Sequence, residues 1–166
     1  DLLPSSETPL HLSVYASDES IGAIVHTHSV YATAVSTLVE ELPAIHYQIA
    51  DLGGPVPVAP YQTFGTPALA ASVTNAIQGR TAALMQNHGA LTVADTVEQA
   101  LRRSVTLEWL ARVYLIAQQS GSPSLIDDEE LVRVKRQQKS FGEEQQRRLA
   151  ARPADTCCGT DSSDDS

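Results

Sequence analysis

An α/β domain is the fold class this sequence predicts, and three observations point to it. Short apolar runs rich in β-branched residues alternate with segments whose apolar residues recur at helical spacing. Capping and turn residues stand at most of the borders between them. The 166 residues, 42% of them apolar, are enough for one domain with a real core. The alternation does not fix the order of the strands.

Pro4-Ser5-Ser6-Glu7-Thr8-Pro9 carries helix-start signals, with Ser6 as N-cap and Pro9 in the first turn, where proline is tolerated. Leu10, Val14 and Tyr15 give that helix an apolar stripe as far as Ser17. Asp18-Glu19-Ser20 is a polar turn, and Gly22 to His26 reads as a short buried strand. After His28 the spacing of Val30, Ala34, Val35 and Leu38 is helical, and Pro43 ends the unit. Ala44–Ala50 is apolar but broken by His46, Tyr47 and Gln48. Gly53 to Pro60 is a turn followed by an extended segment. Thr66 and Pro67 are N-cap and first residue of a helix that Gly79 stops.

Thr81–Gln86 and Ala90–Val93 read as two strands flanking Asn87-His88-Gly89. Asp95-Thr96-Val97-Glu98 is a capping box that opens the longest helix, ended near Gly121. Val97, Leu101, Val105, Trp109 and Val113 line one face of it, the expected core face, with Leu110, Tyr114 and Ala117 beside them. Asp127 to Glu130 caps a further helix, and Glu143–Arg152 continues helical and polar. Residues 153–166 are Pro153 and Ala154 followed by Asp, Ser, Gly and Thr with two cysteines, the composition of a disordered tail. The expected organisation is therefore a domain over residues 1–152 and an acidic tail over residues 153–166.

The formal net charge is −9, with four of the acids in that tail. An acidic balance argues against a nucleic-acid or anionic-membrane surface, though a small phosphorylated substrate needs only local donors. No apolar run approaches the roughly 20 residues that span a bilayer, and no leader-like segment is read at the start. Cys157 and Cys158 are adjacent and supply no disulfide framework, which fits a reducing, cytoplasmic setting.

Chemistry concentrates in His26-Thr27-His28. Side chains two apart on a strand point the same way, so both imidazoles can aim at one point. A third histidine, His88, also follows an apolar run and precedes a glycine. Packed core histidines with satisfied hydrogen bonds are the plain alternative for any one of them. Together, three nitrogen ligands without a thiolate suit zinc or a similar divalent ion, and three protein ligands leave a coordination position open for catalysis.

The phrases Leu3-Pro-Ser-Ser-Glu7, Ile24-Val-His-Thr-His-Ser29, Pro43-Ala-Ile-His-Tyr47, Ala59-Pro-Tyr-Gln-Thr-Phe-Gly-Thr66 and Leu84-Met-Gln-Asn-His-Gly89 stand in the order of a known family. Over residues 2–142 the chain resembles the class II aldolase/adducin family, most closely its L-fuculose-1-phosphate aldolase branch. The resemblance implies a three-layer α/β/α sandwich around a mostly antiparallel sheet, assembled as a homotetramer with active sites at subunit interfaces. It implies one zinc ion on His26, His28 and His88, and proton transfer by Glu7. Ser5 and Ser6 match positions that hold a substrate phosphate, with plain helix capping as their alternative. Tyr47 matches a tyrosine that reaches a neighbouring subunit's site and would donate a proton to an aldehyde oxygen.

The implied reaction cleaves a ketose 1-phosphate such as L-fuculose 1-phosphate into dihydroxyacetone phosphate and an aldehyde such as lactaldehyde. A metal on the ketone and adjacent hydroxyl oxygens would stabilise the enediolate, and a carboxylate would move the proton.

Two departures stand out. Family members carry a further N-terminal region with a Gly-Asn loop in the phosphate pocket, so an N-terminally truncated domain is expected. Phe141 stands where the fuculose-phosphate branch has a tyrosine, which opens the substrate to a related deoxy-ketose 1-phosphate. A pentulose-5-phosphate 4-epimerase is the runner-up, although that branch carries Ser-Ser-Asp where this chain has Ser5-Ser6-Glu7. An inactive adducin-like interaction module is the non-enzymatic reading, and all three histidines speak against it.

Overall fold

The computed structural model describes residues 3–150. The expected acidic tail, residues 153–166, lies outside them. Of the described residues, 3–135 belong to one compact unit and 136–150 to a second. The first holds five strands: β1 (Ala23–Thr27), β2 (Glu41–Leu42), β3 (Val56–Ala59), β4 (Ala82–Met85) and β5 (Gly89–Ala94). With them come helices α1 (Thr8–Ser17), α2 (Val30–Ser36), α3 (Pro67–Ala76) and α4 (Val97–Gln119), and a 3-10 helix at Tyr47–Leu52. A last helix, α5, covers Asp128–Ala150.

The strands form one sheet in the order β1-β5-β4-β3-β2, and only the β3–β4 pair is parallel. The expected mostly antiparallel sheet is the one observed. Alternation along β4 sends Ala82 and Leu84 to one face and Ala83 and Met85 to the other. The first face packs against α2, α4 and the 3-10 helix through Val35, Ile49, Leu52, Leu107 and Leu110. The second packs against α1 and α3 through Leu10, Val14, Leu69 and Val73. Helices on both faces make the three layers. Because both faces are covered, β4 and β5 are buried at every residue, and their sequences are apolar without alternation, apart from Thr92 in β5.

Local signals explain most boundaries. Thr66 Oγ1 accepts from Leu69 N at 3.2 Å, with Pro67 opening α3. Asp127 Oδ1 accepts from Glu130 N at 2.7 Å ahead of α5. Two caps fall one residue later than expected. Thr96, not Asp95, caps α4, its hydroxyl accepting from Gln99 N at 3.3 Å. Glu7, not Ser6, is the N-cap residue of α1, and Ser5 Oγ accepts from its N–H at 3.3 Å.

The buried face of α4 also differs from the expected one. Val97, Leu101, Val105 and Trp109 are exposed, and so are Val30 and Leu38 around α2. The buried residues of α4 are Ala100, Ser104, Leu107, Leu110, Ala111 and Tyr114. Small residues bring the helix close to the sheet, and buried Thr92 Oγ1 donates to Ala100 O at 2.9 Å. In the second unit, Arg148 pairs with Glu144 one turn away at 2.7 Å, an exposed pair of little energetic weight.

Leu84 lies at the centre of the sheet with no exposure. Leu84→Ala is expected to cost about 2–5 kcal/mol, read from the shift in urea midpoint at constant slope. A loss under about 1 kcal/mol would contradict the packing described.

Candidate metal centre

His26 sits in β1, and its parity with Ile24 places it on the α1/α3 side of the sheet. His28 follows the last residue of that strand. His88 lies in the three-residue connection between β4 and β5, where Asn87 adopts φ 55° and His88 N donates to Met85 O at 3.1 Å. Pairing of β1 with β5 brings the strand end and the hairpin together. The three rings form a triangle with centroids 4.9, 5.1 and 4.9 Å apart. One ligand nitrogen from each lies within 4.8 Å of the others, close enough to hold one metal ion.

Close approach at this point needs Gly89. A Cβ there would stand 2.3 Å from Thr27 O and 3.0 Å from a carbon of the His28 ring. No side chain fits between the two strands where the ligands meet.

The donor set fits a divalent transition metal on its own geometry. His26 Nδ1 is 2.9 Å from Ala90 O, and a carbonyl can only accept, so Nδ1 carries the proton. The neutral ring then presents a lone pair at Nε2. That atom lies 3.1 Å from His28 Nε2. Two nitrogens bonded to one tetrahedral ion at about 2.0–2.1 Å would stand only slightly farther apart. A ring fixed through its second nitrogen to a backbone carbonyl is the usual support of a histidine ligand.

Burial pushes the pKa of His26 down, and neighbouring His88 and His28 add to this. The bond to Ala90 and the charge of Glu7 act in the opposite direction. Burial likewise lowers His88, with Glu7 opposing and His28 assisting. Both rings are thus held neutral, the form that donates a lone pair.

Glu7 lines the same cleft, which encloses about 420 Å³ among Ser6, Glu7, His28, Tyr61, Gln62, Phe64, Asn87 and His88. Glu7 Oε2 is buried and has no hydrogen-bond partner. A carboxylate oxygen left this way is costly unless a cation or a substrate group completes it. Ser6 is exposed at the cleft; Ser5 is exposed too but does not line it, and its Oγ accepts from Glu7 N. Tyr47 does not line the cleft. It is half exposed at the start of the 3-10 helix, 4.4 Å ring to ring from His46, which meets Trp109 at 4.8 Å. His11, given no role from sequence, has its ring 6.4 Å from that of His26.

Tyr61, Gln62, Phe64 and Asn87 were not singled out by sequence reasoning. Tyr61 to Phe64 have no periodicity to mark them, and Asn87 was visible only as the neighbour of His88. Gln86 Oε1 accepts from Tyr61 N at 3.0 Å, so the loop is tied to the end of β4.

A three-layer α/β domain with three imidazoles able to hold one ion is what the fold and the constellation define. The family model for the class II aldolase and adducin N-terminal domain matches residues 1–115. The chain belongs to the class II aldolase and adducin family. L-fuculose phosphate aldolase of Escherichia coli K12 is 42% identical over 142 residues, covering 84% of this chain and 66% of that protein. 5-deoxy-D-ribulose 1-phosphate aldolase of Bacillus thuringiensis is 37% identical, covering 85% of this chain and 66% of that protein. A solved L-fuculose 1-phosphate aldolase superposes with a TM-score of 0.81 at 40% identity, over 84% of this chain and 66% of that one. The chain thus spans just under two thirds of the length of these relatives.

The lowered pKa of His26 and His88 means that the unfolded chain binds more protons as pH falls. The corresponding stability is present above the ordinary histidine value of about 6.5 and is lost as pH drops through the folded values. In chelator-treated protein the urea midpoint should fall between about pH 7.5 and about pH 5.5. The slope should flatten in a His26→Gln, His88→Gln double variant; an unchanged slope would refute the assignment.

Proposed function

We propose that the chain carries the metal-dependent active site of an aldolase that reversibly cleaves a ketose 1-phosphate to dihydroxyacetone phosphate and an aldehyde. The observation that carries this reading is the meeting of three histidine rings beside a cleft that His28 and His88 line together with Glu7, one of whose oxygens is buried and unpartnered. His26, His28 and His88 would hold the ion, which we take to be zinc, one per chain, on the strength of an all-imidazole donor set. Bound there, it would supply Lewis-acid polarisation of a substrate carbonyl and offset the negative charge that develops on it.

The chain's own residues handle protons and anchor the substrate. In the direction of synthesis, Glu7 takes a proton from the carbon beside the ketone. That carbon bonds to the aldehyde carbon, and the aldehyde oxygen takes a proton from Tyr47. Cleavage runs the same steps backwards, with Glu7 returning the proton to carbon. Ser5 and Ser6, ahead of α1, would offer hydroxyls to the phosphate near the helix's free N–H groups.

The relatives' names support three sugars, L-fuculose phosphate, 5-deoxy-D-ribulose 1-phosphate and 5-methylthioribulose 1-phosphate. In each, the leaving aldehyde ends in a methyl or methylthio group rather than a hydroxymethyl group. We therefore take the substrate to be a deoxy-ketose 1-phosphate. Phosphate charge keeps such sugars inside the cell, which supports a cytoplasmic setting. Among the described residues no helix is long and apolar enough to cross a membrane.

Tyr47 can serve only if it reaches another copy's cleft. A homo-oligomer, a tetramer by the family resemblance, is supported by the exposed stripe Val97, Leu101, Val105 and Trp109 on α4, the last one ring away from His46 beside Tyr47.

Elemental analysis of chelator-washed, metal-reloaded protein should find about one zinc per chain, lost in His28→Ala. Glu7→Gln should keep the metal and lose turnover about a hundredfold or more. Undiminished turnover in that variant would remove Glu7 from the mechanism, and a wild-type chain that takes up no metal would end the reading.

Sharing of sites between copies has its own test. Glu7→Gln and Tyr47→Phe proteins, each inactive alone, should regain activity when dissociated and reassembled together. No recovery in mixed oligomers would place Tyr47 outside the site.

A further inference from the structure

His28 is held differently from the other two histidines. His26 is inside a strand, paired in the ladder to β5, and His88 sits in the three-residue turn between two paired strands, its N–H donating to Met85 O at 3.1 Å. His28 lies between Thr27, the end of β1, and Ser29, the N-cap of α2. Its ring is exposed, and the side chain of Ser29 makes no capping bond. Where His28 points therefore depends on where the first turn of α2 is held.

That turn is held from a distance of 76 residues. Glu108, midway along α4, accepts from Tyr31 N through Oε1 at 2.9 Å and from Ala32 N through Oε2 at 2.8 Å. These are N–H groups that no turn of the helix precedes, so they have no intrahelical partner. A carboxylate that spends both oxygens on successive amides makes two charge-assisted bonds. Two points of attachment fix rotation of the turn as well as its position. The other end of the connection is firm: α4 is bound to β5 through Thr92 Oγ1 to Ala100 O, and Arg103 Nη1 donates to Val93 O at 2.6 Å. Tyr31 is also covered by Arg112, one turn after Glu108, at 5.5 Å from its ring centre.

We propose that Glu108 is a positioning residue for the three-histidine centre: by clamping the first turn of α2 to α4, it sets the direction of His28. This rests on the reading of that centre as a metal site. Glu108 touches neither metal nor substrate. It acts through backbone amides, and its removal would leave His26 and His88 in place while the third ligand swings with a loosened helix start.

The test compares Glu108→Gln with Thr96→Ala. The glutamine keeps the size of the side chain but turns an NH₂ group toward one of the two amides. Thr96→Ala removes a cap at the far end of the same helix and serves as the control for lost stability. Zinc affinity is measured on folded, metal-stripped protein by competition with a chromophoric chelator. Glu108→Gln should weaken binding about tenfold or more, the effect of losing an outer support of a ligand. Thr96→Ala should bind as the wild type does. In the metal-free protein, the ring resonances of His28 should move in Glu108→Gln and those of His88 should not.

Wild-type affinity in Glu108→Gln would overturn the role of Glu108 and leave the metal site standing. An equal loss in both variants would reduce Glu108 to a stabilising contact and equally overturn the proposal. A wild-type chain that binds no zinc would overturn the metal reading and this proposal with it.

Discussion

The ladder between β1 and β5 is the constraint on which the rest depends. Its register sets Thr27 opposite Ala90 and His26 opposite Leu91, and so brings the His26 ring to the Ala90 carbonyl. A slip of one residue would turn His26 to the α4 face and Val25 to the cleft. Burial of both faces makes that slip costly, since Ala23 and Val25 pack toward α4 while Ile24 packs with the α1/α3 cluster. The same ladder requires a glycine at position 89, because the strands close to contact where the ligands converge. Apolar packing thus fixes the polar centre.

Within that centre, opposing effects keep the imidazoles as donors. Burial and mutual proximity press His26 and His88 toward the neutral form, while Glu7 pulls toward the protonated one. The carboxylate has an oxygen with no partner, and its charge acts on both of those rings. A cation satisfies all of these groups together, and no side chain of the described residues does.

Much of this could be read in the chain, for identifiable reasons. The histidines were legible because two-residue alternation on a strand fixes their common direction and because a third lay at a strand end. Helices α3 and α4 were legible from their capping residues and stopping glycines, and α1 from its proline-containing start and apolar stripe. The two-residue β2 and the 3-10 helix Tyr47–Leu52 were not, since elements that short leave no period in a sequence. Caps slipped by one where two competent residues stood together, as at Asp95-Thr96. The face of α4 was misjudged because large apolar residues draw the eye. The side that meets the sheet instead carries Ala100, Ser104 and Ala111, whose small size permits the approach.

The loop from Tyr61 to Phe64 has its ends secured and its side chains free. Gln86 holds one end, and Gly65, at φ +72°, packs the other against the backbone of Ser6. Tyr61 and Phe64 are more than half exposed and belong to no buried cluster. Such a wall can be rewritten by substitution without disturbing the sheet or the imidazoles. New ligand preferences can arise there one residue at a time, while the three imidazoles stay where the sheet holds them.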